Sequence, residues 1–208
     1  MLRHLSDTAF VLQLERRGLP FNTGQFVVLR RPKTIVQRAY TVYSGEREQC
    51  LEVLVREIPE GKVTPGLKKL KAGDVLEVDG PFGFFRFNPV FFPSQKFLFI
   101  ATGTGISPYH SFIQTYPKMD YQLIHGVQSG KEAYEHHHYD PSRITLCTSG
   151  DKTGRFHGKV TEYLKDYEIS GETQCFLCGN NEMILQAYDL LVQKGVPVHN
   201  IHSEVHYQ

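Results

Sequence analysis

The apolar run FLFI at 97–100 leads into Gly103-Thr104-Gly105, and Pro108 follows three residues later. Glycines beyond a buried strand let a phosphate come close to the backbone, and a helix starting there offers free N–H groups and a positive dipole. Pro108 suits a first helical turn. The third glycine of the dinucleotide fingerprint is missing, so the loop alone reads equally well as a tight turn. In RAYTVYSG, Arg38 and Tyr40 share one strand face, while Ala39, Thr41 and Tyr43 share the other. An arginine beside an aromatic can clamp a phosphate and stack on a planar ring, or simply line a barrel surface. In GKVTP, Gly61, Lys62, Val63 and Thr64 precede a helical stretch; Thr64 either caps it or helps hold a pyrophosphate. Cys178 and Gly179 end another strand, with Asn181 placed to cap the helix carrying Met183. The thiol faces a ligand crevice or is a buried structural cysteine. The last strand carries Glu204, followed by His206 and Tyr207, which otherwise form a frayed tail.

The elements that position these residues fall into two grammars. Up to about residue 92 the pattern has period two, in AFVLQLERR, GQFVVLRR, RAYTVYS, CLEVLVREI and DVLEVDGPFG, with turns between and one helix-like piece, TPGLKKLKAG. That predicts a closed antiparallel barrel. From residue 96, short apolar strands (KFLFIA, YQLIHGV, RITLCTS, TQCFLCG, NIHSEVH) alternate with helical stretches (SPYHSFIQTY, GKVTEYLKDY, NNEMILQAYDLLVQKG). That predicts a parallel sheet with helices on both faces. The fold class is therefore β plus α/β: an N-terminal Greek-key β-barrel over 1–92, then a five-stranded parallel-sheet domain over 96–208, joined by NPVFFPSQ.

Composition narrows the function classes. The 208 residues carry 23 Lys and Arg against 22 Asp and Glu, a net charge of +1, which gives no electrostatic footprint for nucleic acid. No apolar run has membrane-span length, and the N-terminus lacks a signal-peptide core, so a cytoplasmic protein is expected. Cys175 and Cys178 form one C-x-x-C without a second pair, which completes neither a zinc nor an iron–sulfur ligand set. As neighbours on a strand with odd spacing they face opposite ways. The run His136-His137-His138 is expected on a solvated face or loop, since adjacent helical residues point about 100° apart. No metal site is expected.

Taken in order, Arg-x-Tyr-Thr-x-x-Ser, Gly-Lys-Val-Thr, Gly-Pro-Phe-Gly, Gly-Thr-Gly-Ile-x-Pro, Cys-Gly-x-x-x-Met and a terminal glutamate with aromatics closely resemble the ferredoxin–NADP reductase family of flavoproteins, over roughly residues 5–207. The resemblance implies FAD on the barrel and NAD(P)H on the α/β domain. It places Arg38 at the flavin phosphates, Tyr40 against the isoalloxazine, Thr41 at flavin N5, and Gly61, Lys62, Val63 and Thr64 at the FAD pyrophosphate, with Ala39 among the cofactor-binding residues. Gly103, Thr104 and Gly105 take the nucleotide pyrophosphate, and Gly179 and Met183 are further cofactor-binding residues. Cys178 and Glu204 lie at the nicotinamide, and His206, or Tyr207 as the rival, covers the flavin face. Departures concern nucleotide choice. Gln128 stands where many relatives have Arg, and Thr148-Ser149-Gly150-Asp151 replaces a phosphate-gripping Ser/Thr-Arg-Glu. An Asp there disfavours a 2′-phosphate and can instead accept from a ribose hydroxyl; Lys152 and Arg155 are close enough in sequence to compensate, Ser149 is a further cofactor-binding residue, and the family's habit tips the expectation to NADPH. The implied activity is hydride uptake from NAD(P)H and delivery of electrons to a separate ferredoxin- or flavodoxin-like carrier. A reductase of free flavin and a non-catalytic nucleotide-binding subunit are the alternatives.

Overall fold

The computed structural model describes residues 1–88 and 94–205. It divides into two compact units, 1–86 with 107–116, and 87–106 with 117–208.

The first unit holds two antiparallel sheets. One orders β1 (Leu2–His4), β2 (Ala9–Glu15) and β5 (Cys50–Arg56); the other orders β4 (Gln37–Thr41), β3 (Phe26–Arg30) and β6 (Glu77–Phe82). A bridge from Val42 to Val53 joins them, giving the order β1-β2-β5-β4-β3-β6 of a barrel. The period-two pattern explains it, because alternate residues Phe10, Leu12, Val27, Leu29, Leu51, Val53 and Val55 turn into one shared core. Short helix α1 (Thr64–Lys68) adds Leu67 to that core. Helix α2 (Ser107–Thr115) also packs in this unit. His110 stacks on Tyr43 with ring centroids 3.8 Å apart and planes 7° apart, and its Nδ1 lies 2.8 Å from the Tyr43 carbonyl. Ser111 Oγ donates to the Ser44 carbonyl at 2.7 Å, and Thr115 Oγ1 accepts from the Glu46 N–H at 2.9 Å.

The second unit is a parallel sheet of six strands, one more than expected. They are β7 (Lys96–Thr102), β8 (Asp120–Val127), β9 (Ile144–Thr148), β10 (Phe156–His157), β11 (Gln174–Gly179) and β12 (Ile201–Val205), in the order β10-β9-β8-β7-β11-β12. The extra strand, β10, has two residues and forms an edge, too short for a periodic signal. β7 and β11 are buried on both sides and so read as unbroken apolar runs.

Two of the helices, α3 (Val160–Asp166) and α4 (Asn181–Gln193), pack on one face of the sheet. Val160, Leu164, Met183, Ile184, Ala187 and Leu191 meet Leu98, Ile100, Ile124, Cys147 and Leu177. The opposite face is aromatic, with Phe97, Phe99, Tyr121 and Phe176 in mutual ring contact. The β8–β9 connection brings Tyr134 and His136 against His125 on β8, with Tyr139 against His136. All four cysteines are free thiols. Among the described residues, no helix is long and apolar enough to cross a membrane.

Candidate functional site

In the α/β unit the chain leaves β7 toward β8 on one side, and later crosses to β11 on the other. Ligands of open parallel sheets bind beyond the carboxyl ends of strands at such a switch point. The residues 103–105 sit there. Gly103–Ile106 forms a 3-10 turn directly after β7. The two glycines are required for different reasons. Gly103 has φ +53° and nothing within 4 Å of where a side chain would begin. Gly105 is pressed against β11, where an added Cβ would lie 2.3 Å from the Cys178 carbonyl oxygen. The second glycine therefore fits two strand ends together, while the first leaves the turn open.

Neutral polar groups brace this turn. Thr102 Oγ1 accepts from the Asn180 backbone N–H at 3.1 Å and from its side-chain amide at 3.3 Å. Asn180 also caps α4, its Oδ1 accepting from Met183 N–H at 2.8 Å. The cap is thus Asn180 and not Asn181, which is the exposed first residue of the helix. His125 is fully buried, with Nε2 2.8 Å from the Gly103 carbonyl and Nδ1 2.9 Å from His136 Nε2. His136 therefore departs from the solvated face expected for the histidine run; His137 and His138 are exposed as expected. Burial lowers the pKa of His125 to about 3, with His136 adding to the effect, and lowers that of His136 to about 4. The signal in the sequence was a histidine in an otherwise apolar strand, since a buried imidazole must find partners.

Cys178 pairs in register with Glu204 of β12. Its thiol is completely buried, and burial first, then the Glu204 charge, raises its pKa well above the ordinary value. Met183 is buried under the sheet. His206 and Tyr207 lie outside the described residues.

The loop after β9 is held by a carboxylate. Asp151 Oδ1 accepts from Thr153 N–H (3.1 Å) and Oγ1 (2.6 Å), and its Oδ2 from Gly130 N–H (3.1 Å). The bonds from Thr153, then those from Ser129 and Gly130, hold its pKa far below the usual carboxylate range. Ser149 is tied to the Val127 carbonyl through its N–H (3.1 Å) and Oγ (3.4 Å). Lys152 and Arg155 are exposed and make no ion pair among the described residues.

In the barrel unit, β4 pairs with β3 so that Tyr40 faces Val27 and Arg38 faces Leu29. Arg38 is exposed, and among the described residues its guanidinium donates only to the Gln37 carbonyl, at 3.0 Å. Ala39 is exposed and Thr41 buried. The Tyr40 hydroxyl is buried with no hydrogen-bond partner among the described residues, and burial raises its pKa to about 12 against a smaller opposing effect of Arg38. A buried orphan hydroxyl asks for a partner. With an exposed guanidinium on the same strand, it fits a group carrying both polar atoms and phosphate. In the third stretch, Gly61 N–H donates to the Ile58 carbonyl at 2.8 Å. Thr64 does not cap α1: the cap position is Val63, without a side-chain bond. The Thr64 hydroxyl instead accepts from Ile58 N–H (2.9 Å) and donates to the Ile58 carbonyl (3.2 Å), closing the loop that displays Lys62.

Comparison with known proteins agrees with this division. Residues 4–87 match the oxidoreductase FAD-binding domain family, and residues 99–189 the oxidoreductase NAD-binding domain family. A flavodoxin/ferredoxin–NADP reductase of Buchnera aphidicola (subsp. Baizongia pistaciae) is 30% identical over 83% of this chain and 80% of its own length. The glycine betaine monooxygenase reductase subunit of Chromohalobacter salexigens is 27% identical over 88% of this chain but only 55% of its own length; the chain spans about half of that relative. The crystal structure of a ferredoxin–NADP+ reductase from Neisseria gonorrhoeae with bound FAD and NADP superposes with a TM-score of 0.84 at 23% identity, covering 99% of this chain and 96% of that one. A barrel with an FAD-binding signature, followed by a parallel sheet with a glycine turn at its switch point, places this chain in the ferredoxin–NADP reductase family of flavoproteins.

Proposed function

We propose that the protein is an FAD-dependent oxidoreductase of the cytoplasm that takes a hydride from NAD(P)H and passes electrons to a separate carrier protein of the ferredoxin or flavodoxin type. Residues 1–92 carry the flavin and 96–208 the pyridine nucleotide. The observation that carries this reading is the Gly103–Ile106 turn, open at Gly103, at the switch point of the sheet.

FAD, when bound, supplies the acceptance of a hydride and the release of single electrons. The chain's own residues bind and orient. Arg38 offers a rigid fork of donors for phosphate, which its exposure leaves available. Tyr40 gives the flavin an aromatic face and the unpaired hydroxyl. Thr41 keeps a hydroxyl with a stiff χ1 at the buried end of β4. Gly61, Lys62, Val63 and Thr64 form the loop for the pyrophosphate of FAD. Thr104 and the two glycines receive the nucleotide pyrophosphate, and Ser149, Lys152 and Arg155 receive its ribose end. Cys178 and Glu204 lie at the nicotinamide, where the buried thiol helps keep the site dry.

The test is steady-state reduction of a purified ferredoxin or flavodoxin by NADPH and by NADH, with Arg38→Ala alongside. Carrier reduction without added flavin, and an Arg38→Ala protein that purifies flavin-poor, support the reading. Turnover only with free flavin makes the protein a flavin reductase instead, and a fully loaded Arg38→Ala protein makes Arg38 a plain barrel-surface residue.

A further inference from the structure

His125 and His136 have no part in the chemistry above, yet they stand behind the turn at its centre. Hydrogen-bond logic fixes their protons. The Gly103 carbonyl can only accept, so His125 Nε2, 2.8 Å away, carries a hydrogen and donates. A neutral imidazole with its proton on Nε2 accepts at Nδ1. His136 Nε2, 2.9 Å from that Nδ1, is therefore the donor. The chain runs His136 to His125 to Gly103, and burial keeps both rings neutral.

What this holds follows from the peptide bond. The Gly103–Thr104 peptide is planar and trans, so its C=O and N–H point in opposite directions. Turning the Gly103 carbonyl inward to a fully buried imidazole turns the Thr104 N–H the other way. Flipping this peptide changes ψ of Gly103 and φ of Thr104; glycine accepts its share at little cost, and the bond to His125 adds to Thr104's own preference for the observed arrangement. Gly103, at φ +53° with nothing within 4 Å of where a side chain would begin, has no steric lock of its own. A flipped peptide would present a carbonyl oxygen where an anion must sit.

We propose that His125 is a positioning residue that locks the Gly103–Thr104 peptide in its phosphate-accepting orientation, with His136 setting the tautomer that makes the lock. The inference rests on the reading of this turn as the pyrophosphate site.

The experiment uses the FAD-loaded protein. Long-range proton–nitrogen correlation spectra of the imidazoles should show His125 protonated on Nε2 alone between about pH 5.5 and 8; a proton on Nδ1 overturns the lock. Binding of NADP+ is then measured for native protein, His125→Leu and His125→Gln. His125→Leu fills the space without a donor and should weaken binding about tenfold, the scale of one buried hydrogen bond, with FAD content unchanged. His125→Gln restores an N–H donor and should recover most of the loss, which a merely structural role would not require. Native affinity in His125→Leu overturns the inference alone. Failure of the native protein to bind either NADP+ or NAD+ overturns it together with the functional reading. Should His125→Leu not fold, His136→Ala serves: a mixed His125 tautomer with weaker NADP+ binding supports the lock, and an unchanged tautomer with unchanged affinity overturns it.

Discussion

Two loops at the carboxyl ends of the parallel sheet are held in opposite ways. The Gly103–Ile106 turn is fixed by neutral groups: the buried His125, the Thr102 hydroxyl with Asn180, and the close fit of Gly105 against the Cys178 carbonyl. The loop after β9 is fixed by the ionised Asp151, and it leaves Lys152 and Arg155 exposed. On the proposed function, in which the turn receives a pyrophosphate and the loop after β9 a 2′-phosphate, the difference matches the task of each. A pyrophosphate is common to every dinucleotide and suits a rigid cradle without competing charge. A 2′-phosphate is an optional feature, and mobile surface cations can gain or lose it without disturbing the fold.

The largest effect that would separate the loops is Gly105→Ala. A Cβ placed 2.3 Å from backbone oxygen must push β11 away from the turn, so thermal and denaturant unfolding should show a loss of about 3 kcal/mol or more. An unchanged melting temperature would show that the two strand ends are not tightly fitted.

Acid should loosen the two loops in different windows. His125 and His136 have folded pKa values of about 3 and about 4, below the ordinary histidine value. The unfolded chain therefore binds more protons as pH falls below about 6.5, and stability drops by up to about 1.4 kcal/mol per pH unit for each ring. Asp151 also has a depressed pKa, but as a carboxylate. Its contribution is complete above its ordinary pKa and is lost only at more acidic pH. Denaturant titrations across pH should thus show a decline beginning near pH 6.5 that His136→Ala flattens and Asp151→Asn does not. A flat native profile down to about pH 5 would contradict the neutral, buried pair.

Gly103→Ala sharpens the contrast with Gly105. Nothing obstructs its Cβ, so only the left-handed backbone is strained, at about 1 kcal/mol in the same unfolding measurement. Smallest in stability are Lys152→Ala and Arg155→Ala, each within about 0.5 kcal/mol of the native protein. Their effect belongs to recognition: the ratio of kcat/KM for NADPH over NADH should fall about tenfold, the size of one charge-assisted contact. A ratio that does not move would remove both cations from nucleotide choice.

Much of this was legible in the sequence, for identifiable reasons. Period two gave the barrel strands, because their alternate residues share one core, and continuous apolar runs gave β7 and β11, because both faces are buried. β10 escaped because two residues carry no period. That α3 and α4 share one face had no local signal, because a helix pattern shows that a face is buried, not which side of the sheet covers it. Asn181 and Asn180 are the same residue type one position apart, and only backbone geometry decides which is the cap. The close fit of Gly105 against the Cys178 carbonyl had no local signature, because that strand end is distant in sequence. His125 and His136 are separated by a connection whose path the sequence does not give, so their pairing had no local signature.

The most direct measurement is an anaerobic titration of the protein as purified. A yellow protein with the absorption of oxidised flavin, bleached by about one equivalent of NADPH or NADH, is the result predicted for an FAD-carrying reductase. A colourless protein, or a bound flavin that neither nucleotide reduces, would contradict it.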